Sequence, residues 1–527
     1  MRAALWAVIC GVAGGRVDMT RVMDELDRSL NRYDKYDGED NYSKYEGGAL
    51  EARGRRFLRR TLWDQKMNVL IFDGRVIVDR AFILNNTEDK VHQHLMFVAS
   101  IIHELKIELP NSVYSLSFTS TGSSPNKHDT GLPTLVIAKQ PETDGRERPG
   151  IMIPNPYFAD LVDWHDFLAH LHSHARKRPF RDRIPRAFWR GAIRSYQFPD
   201  DRDHDCVVDH GNFARLQAAS LTLSHPRLVD VQCKDLHMCR PRDDPRYCDD
   251  VKGAPPMPYN TAAIRRAAKH PELISNGSWT LQEDYADYKY LLNLPGSTHG
   301  SYSRNLNHLW ALGSVVLQWT MDAREFYYPA LVDGETHVYV NHETLAPTVK
   351  RLEQDPALAK RLVEGANEVD EKVLCPKCLG NYFKAVLERL RAKFAHGPVL
   401  DDPCAMRDFF SDPQVQRDVG CAALDLVEVV ATYGDHPNEV ASLVDSWKHS
   451  FEKWEEPSLH THIKEHGFDA KYTWEYLKEQ PGYEIYGKHT HSFLDAKPLG
   501  RGCDALLGLA DRACAAHSKK NKPAKQG

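Results

Sequence analysis

Apolar and polar positions divide the chain into segments of different period. Val69-Leu70-Ile71-Phe72 and Val76-Ile77-Val78 are short apolar runs flanking Asp73-Gly74-Arg75, the pattern of two strands joined by a tight hairpin turn. Across residues 88–108, Val91, Leu95, Val98, Ile102 and Leu105 recur at helical spacing, which predicts an amphipathic helix ending at Pro110. Residues 112–118 then alternate as a strand does. The step from helix to strand repeats downstream. Residues 135–138 predict a short buried strand, and 164–178 a helix carrying His165, His170, His172 and His174. A strand and turn follow over 186–196, a helix over 213–223 and a strand over 227–231. Tyr288–Asn293 reads as a strand, 303–312 as a helix and Val315–Trp319 as a strand. Such alternation predicts an α/β protein with parallel sheets. Residues 343–394 are helical nearly throughout, and 400–517 read as a helical extension rich in His and aromatic residues. Residues 16–66 are polar and Tyr-rich, and their basic cluster (Arg53, Arg55, Arg56, Arg59, Arg60) reads as a solvated face.

Composition narrows the class. At 527 residues the chain is long enough for about three domains, at roughly 150 residues each. Apolar residues make up 42% and charged residues 27%, ordinary globular usage that excludes general disorder. The 68 Lys plus Arg nearly balance the 73 Asp plus Glu, which argues against a dedicated nucleic-acid binder. No apolar run approaches the roughly 20 residues that span a bilayer.

The N-terminus bears on compartment. Met1-Arg2 precedes an uncharged stretch over 3–15 that ends in small residues, a secretory-signal pattern over 1–15; an ordinary first helix is the other reading. Of eleven cysteines, Cys10 falls inside that stretch and ten remain, an even number suited to pairing. Cys233, Cys239 and Cys248 crowd a Pro- and Asp-rich stretch that reads as a stapled loop. N-x-S/T triplets stand at Asn41, Asn85 and Asn276. Together these predict an endoplasmic reticulum or Golgi lumen, or secretion. The basic tail 518–527 reads as a frayed, solvated end and carries no lumenal retention signal.

Two short segments carry candidate chemistry. Phe188-Trp189-Arg190-Gly191, followed by Ser195, sets a planar cation beside a glycine at a strand end. Ligands of open α/β sheets bind outside the carboxyl ends of strands, and a guanidinium fork matches a phosphate. The second segment, from Gly296 to Gly300-Ser301-Tyr302-Ser303-Arg304, is a Gly/Ser turn running from strand into helix with an arginine alongside. That arrangement holds a diphosphate without a Walker lysine, and an ordinary turn whose arginine pairs with a carboxylate is its plain alternative. Cys375-Pro376-Lys377-Cys378 has zinc-knuckle spacing without a second pair, so a disulfide is the preferred reading. His460, His462 and His466 read as a solvated helix face. No G-x-S-x-G, H-E-x-x-H or Walker motif is present.

Four blocks in order carry a resemblance. They are Phe188-Trp189-Arg190-Gly191 with Ser195; Arg215 followed by Pro226-Arg227-Leu228-Val229-Asp230; Asp287-Tyr288-Lys289-Tyr290-Leu291-Leu292-Asn293-Leu294-Pro295-Gly296; and Ser301-Tyr302-Ser303-Arg304 through Gly313-Ser314-Val315-Val316-Leu317, Phe326-Tyr327-Tyr328-Pro329 and His337. Over 188–345 they resemble the capsule-associated-protein family of glycosyltransferases, glycosyltransferase family 90, which includes the Rumi-like protein O-glucosyltransferases and fungal capsule xylosyltransferases. The resemblance implies a GT-B-like α/β fold, two Rossmann-like domains facing a cleft. It assigns 67–185 to the acceptor domain, 186–345 to the nucleotide-sugar donor domain and 346–398 to a helical closure, and it has no counterpart for the helical extension 399–517.

The implied activity is transfer of a sugar from a UDP-sugar to a hydroxyl of a glycan or protein Ser/Thr. No metal or resident cofactor is implied, and UDP-sugar is a substrate. Trp189, Arg190, Gly191, Ser195, Arg215, Gly300, Ser301, Tyr302, Ser303 and Arg304 would hold the donor. The family's protein O-glucosyltransferases place a catalytic Asp where this chain has Ser120, so Asp129 stands as the substitute general base, with His128 another candidate. A member that binds nucleotide-sugar or glycan without catalysis is the alternative.

Overall fold

The computed structural model describes residues 16–32, 66–85, 89–117, 134–139, 150–158, 160–191, 210–233, 270, 273, 280–296, 303–394, 402–413, 416, 425–433 and 492–520. The chain divides into two compact units, one of them residues 167–375 with short N-terminal pieces and the other built from the flanking segments. Each unit is organised around its own sheet.

The first sheet begins with the expected hairpin, β1 (Lys66–Phe72) and β2 (Arg75–Asp79). Asp73 and Gly74 between them take φ of 50° and 69°, the paired positive values of a primed hairpin turn. Strand β3 (Ser112–Ser117) lies antiparallel on the other side of β1, and β4 (Thr134–Val136) and β5 (Ile151–Met152) continue in parallel. The helices in this part of the chain are α1 (Met19–Arg32) before β1, α2 (Arg80–Asn85) and α3 (Asp89–His103) between β2 and β3, and α4 (Leu161–Lys177) after β5. Helix α3 buries Val91, Leu95 and Val98, as its spacing predicts.

The second sheet comprises β6 (Ile184–Gly191), β7 (Val229–Cys233), β8 (Tyr288–Asn293), β9 (Val315–Trp319) and β10 (Val338–Val340), all parallel, in the order β7-β6-β8-β9-β10. In chain order that is 2-1-3-4-5, a doubly wound arrangement. Parallel crossovers are right-handed, so reversing direction at β6/β8 sends the connections to opposite faces. One face is apolar: Ala187, Trp189, Val229, Val231, Tyr290, Leu292, Val315 and Leu317 pack against α5 (His210–Ser224), α7 (Leu345–Gln354) and α8 (Pro356–Lys372). Helix α6 (Leu306–Leu309) and the turn Trp310–Leu312 form the β8–β9 crossover and end at Gly313, whose φ is 61°. Arg183 pins this corner, donating to the carbonyls of Leu312 and Gly313 at 2.7 and 2.9 Å, and to those of Ala175 and Arg178 near the end of α4.

The chain then returns to the first sheet through α9 (Pro376–Phe394) and α10 (Pro403–Ser411). Residues 399–517 depart from the helical extension that the pattern predicts. They contribute β11 (Asp425–Tyr433) and β12 (Ser492–Arg501), which complete a seven-stranded sheet in the order β12-β11-β2-β1-β3-β4-β5. The cause is the free edge of β2, which β11 satisfies by antiparallel pairing over Leu426–Val429. Pairing on both sides of β1 is antiparallel, so this sheet is mixed; only the second is parallel throughout. Helix α11 (Gly502–Lys520) closes the unit, packing with Met406 and Phe410 of α10 on Leu70, Phe72, Ile77 and Leu426. Cys404 and Cys514 join these two helices as a disulfide. Cys375 and Cys378 each take part in a disulfide, in keeping with the preference over zinc.

Among the described residues no helix is long and apolar enough to cross a membrane. The signal pattern 1–15, the arginine cluster 53–60, Asn41, Asn276, Cys239, Cys248, His460, His462, His466 and the tail beyond 520 lie outside the described residues.

Candidate functional site

In a doubly wound sheet the crevice opens where strand order reverses, at the carboxyl ends of the two strands flanking the switch. Here those strands are β6, ending in Trp189-Arg190-Gly191, and β8, running out through Leu294-Pro295-Gly296. The two segments singled out in the sequence therefore leave neighbouring strands of one sheet.

Trp189 is 1% exposed on the apolar face. The Arg215 guanidinium of α5 lies over its indole, 5.3 Å from the ring centroid, and Arg215 Nε donates to the Pro295 carbonyl at 3.0 Å. That bond ties α5 to the exit of β8. Gly191 follows for a steric reason: a Cβ there would stand 2.4 Å from Trp189 Cζ2. Only glycine fits beside the buried indole.

Arg190 points to the opposite face. Its guanidinium sits 4.3 Å above the Phe188 ring centroid. Nη2 donates to Asp230 Oδ1 at 2.6 Å, while Nη1 donates to the carbonyls of Asp230 and Trp189 at 2.8 and 3.0 Å. Three of its five donors are thus used. Asp230 also approaches Arg186, at 3.9 Å, and accepts from the Tyr288 hydroxyl at 3.4 Å. Tyr288 stacks on Phe188 with centroids 3.8 Å apart, and Tyr290 is buried, its hydroxyl donating to Glu353; both tyrosines pack the sheet.

Tyr285 links the pieces. Its hydroxyl accepts from the Arg190 amide at 3.2 Å and donates to the Arg190 carbonyl at 2.9 Å. Burial pushes the phenol up to about 12, and the charges of Arg190 and Arg215 both work against that rise. One hydroxyl therefore feels both arginines, one from each face of the sheet. The Tyr285 ring lies 6.3 Å from His308 of α6. Burial, reinforced by the nearby charge of Arg304, lowers His308 to about 3 and keeps it neutral. Ser303 is buried and Arg304 exposed at the start of this crossover.

The structure accordingly brings Arg190, Gly191, Arg215 and, through His308, Arg304 to the neighbourhood of one switch point, with Trp189 beneath it. Ser195, Gly300, Ser301, Tyr302, Asp129, His128 and Ser120 lie outside the described residues. Sequence reasoning missed the roles of Asp230 and Tyr285. Both follow from strand order and a preceding turn, and neither has a local signature. Among the described residues no group of His, Cys, Asp or Glu is placed to hold a metal ion. No protein-family model matches the chain, and no curated protein matches it.

Proposed function

We propose that the protein is a glycosyltransferase that moves glucose, xylose or a similar sugar from a UDP-sugar to a hydroxyl of a glycan or a protein Ser/Thr. The observation that carries this reading is the pair of arginines flanking the switch point, Arg190 over Phe188 on one face and Arg215 over Trp189 on the other, with Arg215 bonded to the exit of β8. Two guanidinium groups at the carboxyl rim of a parallel sheet, Arg190 sharing its charge with Asp230, suit a diphosphate leaving group. Gly296 lets a ligand approach the backbone beside it. The four ordered blocks resembling glycosyltransferase family 90 support the same assignment, and a GT-B arrangement with 67–185 as the acceptor side belongs to it.

In the proposed reaction the acceptor oxygen attacks the anomeric carbon, the bond from that carbon to the UDP oxygen breaks, and Asp129 takes the hydroxyl proton. The Cys404–Cys514 disulfide supports a lumenal or secreted location. The second reading, binding without catalysis, is favoured by Ser120, which stands where the family has its base.

Calorimetry with UDP tests the site. Arg190→Ala is expected to abolish detectable binding while the variant keeps its circular dichroism spectrum; unchanged affinity would remove Arg190 from the donor site. UDP-sugar hydrolysis by the native protein separates catalysis from binding, because a pure binder releases no sugar.

A further inference from the structure

The second sheet is covered on both faces, and one of the two carries buried polar side chains. Side chains alternate between faces along a strand. Because Leu292, Val315 and Leu317 line the apolar face, Asn293 and Gln318 point to the other, the face of Phe188 and Arg190. These two are register partners on adjacent parallel strands, at or beside the carboxyl end of each. Both are 0% exposed. Oδ1 and Nδ2 of Asn293 and Oε1 and Nε2 of Gln318 have no hydrogen-bond partner among the described residues. Leaving a buried amide unmatched carries its full desolvation penalty, and native proteins do so rarely. Two side by side, at the rim where such sheets bind ligands, mark a recognition element.

Their chemistry limits what they recognise. Each carboxamide offers one carbonyl acceptor and an NH2 with two donors, and neither carries charge. A phosphate or a cation is therefore a poor match. Neighbouring strands lie about 4.8 Å apart, a spacing suited to the imide edge of a pyrimidine, where a central N–H stands between two carbonyls. On the face that Phe188 shares with these amides, Tyr285 packs edge-on to Phe188, and His308 lies against both Tyr285 and Phe167.

We infer that Asn293 and Gln318 read the imide edge of the donor's nucleobase. Amide NH2 groups donate to the two base carbonyls, and an amide carbonyl accepts from the ring N–H between them. This rests on the nucleotide-sugar reading and deepens it by naming the residues that recognise the base. Both side chains are covered in the free protein, so the base enters by displacing the layer over them.

Two near-isosteric apolar variants, Asn293→Leu and Gln318→Met, test the inference. Each is expected to melt above the parent temperature, because an unmatched amide has been removed. Each is also expected to bind UDP about tenfold more weakly or worse by calorimetry, with pyrophosphate affinity unchanged. Wild-type UDP affinity in both variants overturns the inference and leaves the transferase reading standing. A native protein that binds neither UDP nor pyrophosphate at millimolar concentration overturns both. Should an apolar variant fail to fold, the native protein decides through UDP methylated at the imide nitrogen. Loss of affinity of about tenfold or more supports base reading, and equal affinity for the methylated and plain nucleotides refutes it.

Discussion

Arg190 is held by its neighbours before any ligand arrives, and that double commitment has a measurable consequence. Its side chain and that of Asp230 are only 15% and 13% exposed, so Arg190→Ala leaves a carboxylate with the distant Arg186 and the Tyr288 hydroxyl. Breaking such a pair costs about 3 kcal/mol. Urea unfolding should show that loss. The double variant Arg190→Ala/Asp230→Asn is expected to regain most of it without regaining UDP binding, which separates the structural role from the ligand role. A second residue-scale prediction concerns pH. His172 of α4 meets Asp370 of α8 at 2.7 Å. The hydrogen bond to Asp370 raises the histidine above its usual value, with burial and Arg176 opposing and Glu371 assisting. A raised folded pKa means the stabilisation is fully present below the unfolded value of about 6.5 and fades as pH rises through the folded value. His172→Gln should therefore lower the melting temperature at pH 5.5 and match the native protein at pH 9. An equal loss at both pH values would show that charge plays no part.

At the scale of elements, the parallel strands were the most legible. Tyr288–Asn293 and Val315–Trp319 have in the structure the bounds that the pattern predicts, because a strand covered on both faces is a short, continuous apolar run. β12 was illegible for the opposite reason. Ser492–Arg501 mixes Asp495, Lys497 and Arg501 with apolar residues and contains Pro498, and it is a strand because it lies at a sheet edge beside β11, where proline is tolerated. Tertiary pairing, absent from local sequence, overrides propensity there. The site divides similarly. Arg190 and Gly191 stand out as residues, whereas Asp230 matters only because β7 pairs with β6, and the isolation of Asn293 and Gln318 exists only once the layers are assembled. Helix packing supplies its own test. A Cβ on Gly365 of α8 would lie 2.0 Å from the Glu335 carbonyl oxygen, and backbone cannot yield as a side chain does. Gly365→Ala should cost about 3 kcal/mol or more, read as a lower denaturant midpoint.

On the scale of the whole molecule, the unit built on the mixed sheet draws on segments from both sides of the other unit. Its closing helices are fastened by a disulfide spanning 110 residues, a loop long enough to contribute about 5 kcal/mol by restricting the unfolded chain. Cys404→Ser/Cys514→Ser should accordingly melt at a lower temperature, and an unchanged midpoint would show that packing on Leu70 and Phe72 suffices. The late arrival of β11 has a further consequence. A growing polypeptide presents the outer margin of β2 bare for well over three hundred residues of synthesis before its mate at Asp425 emerges. During that interval the margin is sticky toward any extended peptide, its own sister chains included. Folding helpers that shield open strands are thus the companions this chain needs while it is being made, and fragments cut short before Asp425 would clump instead of standing alone.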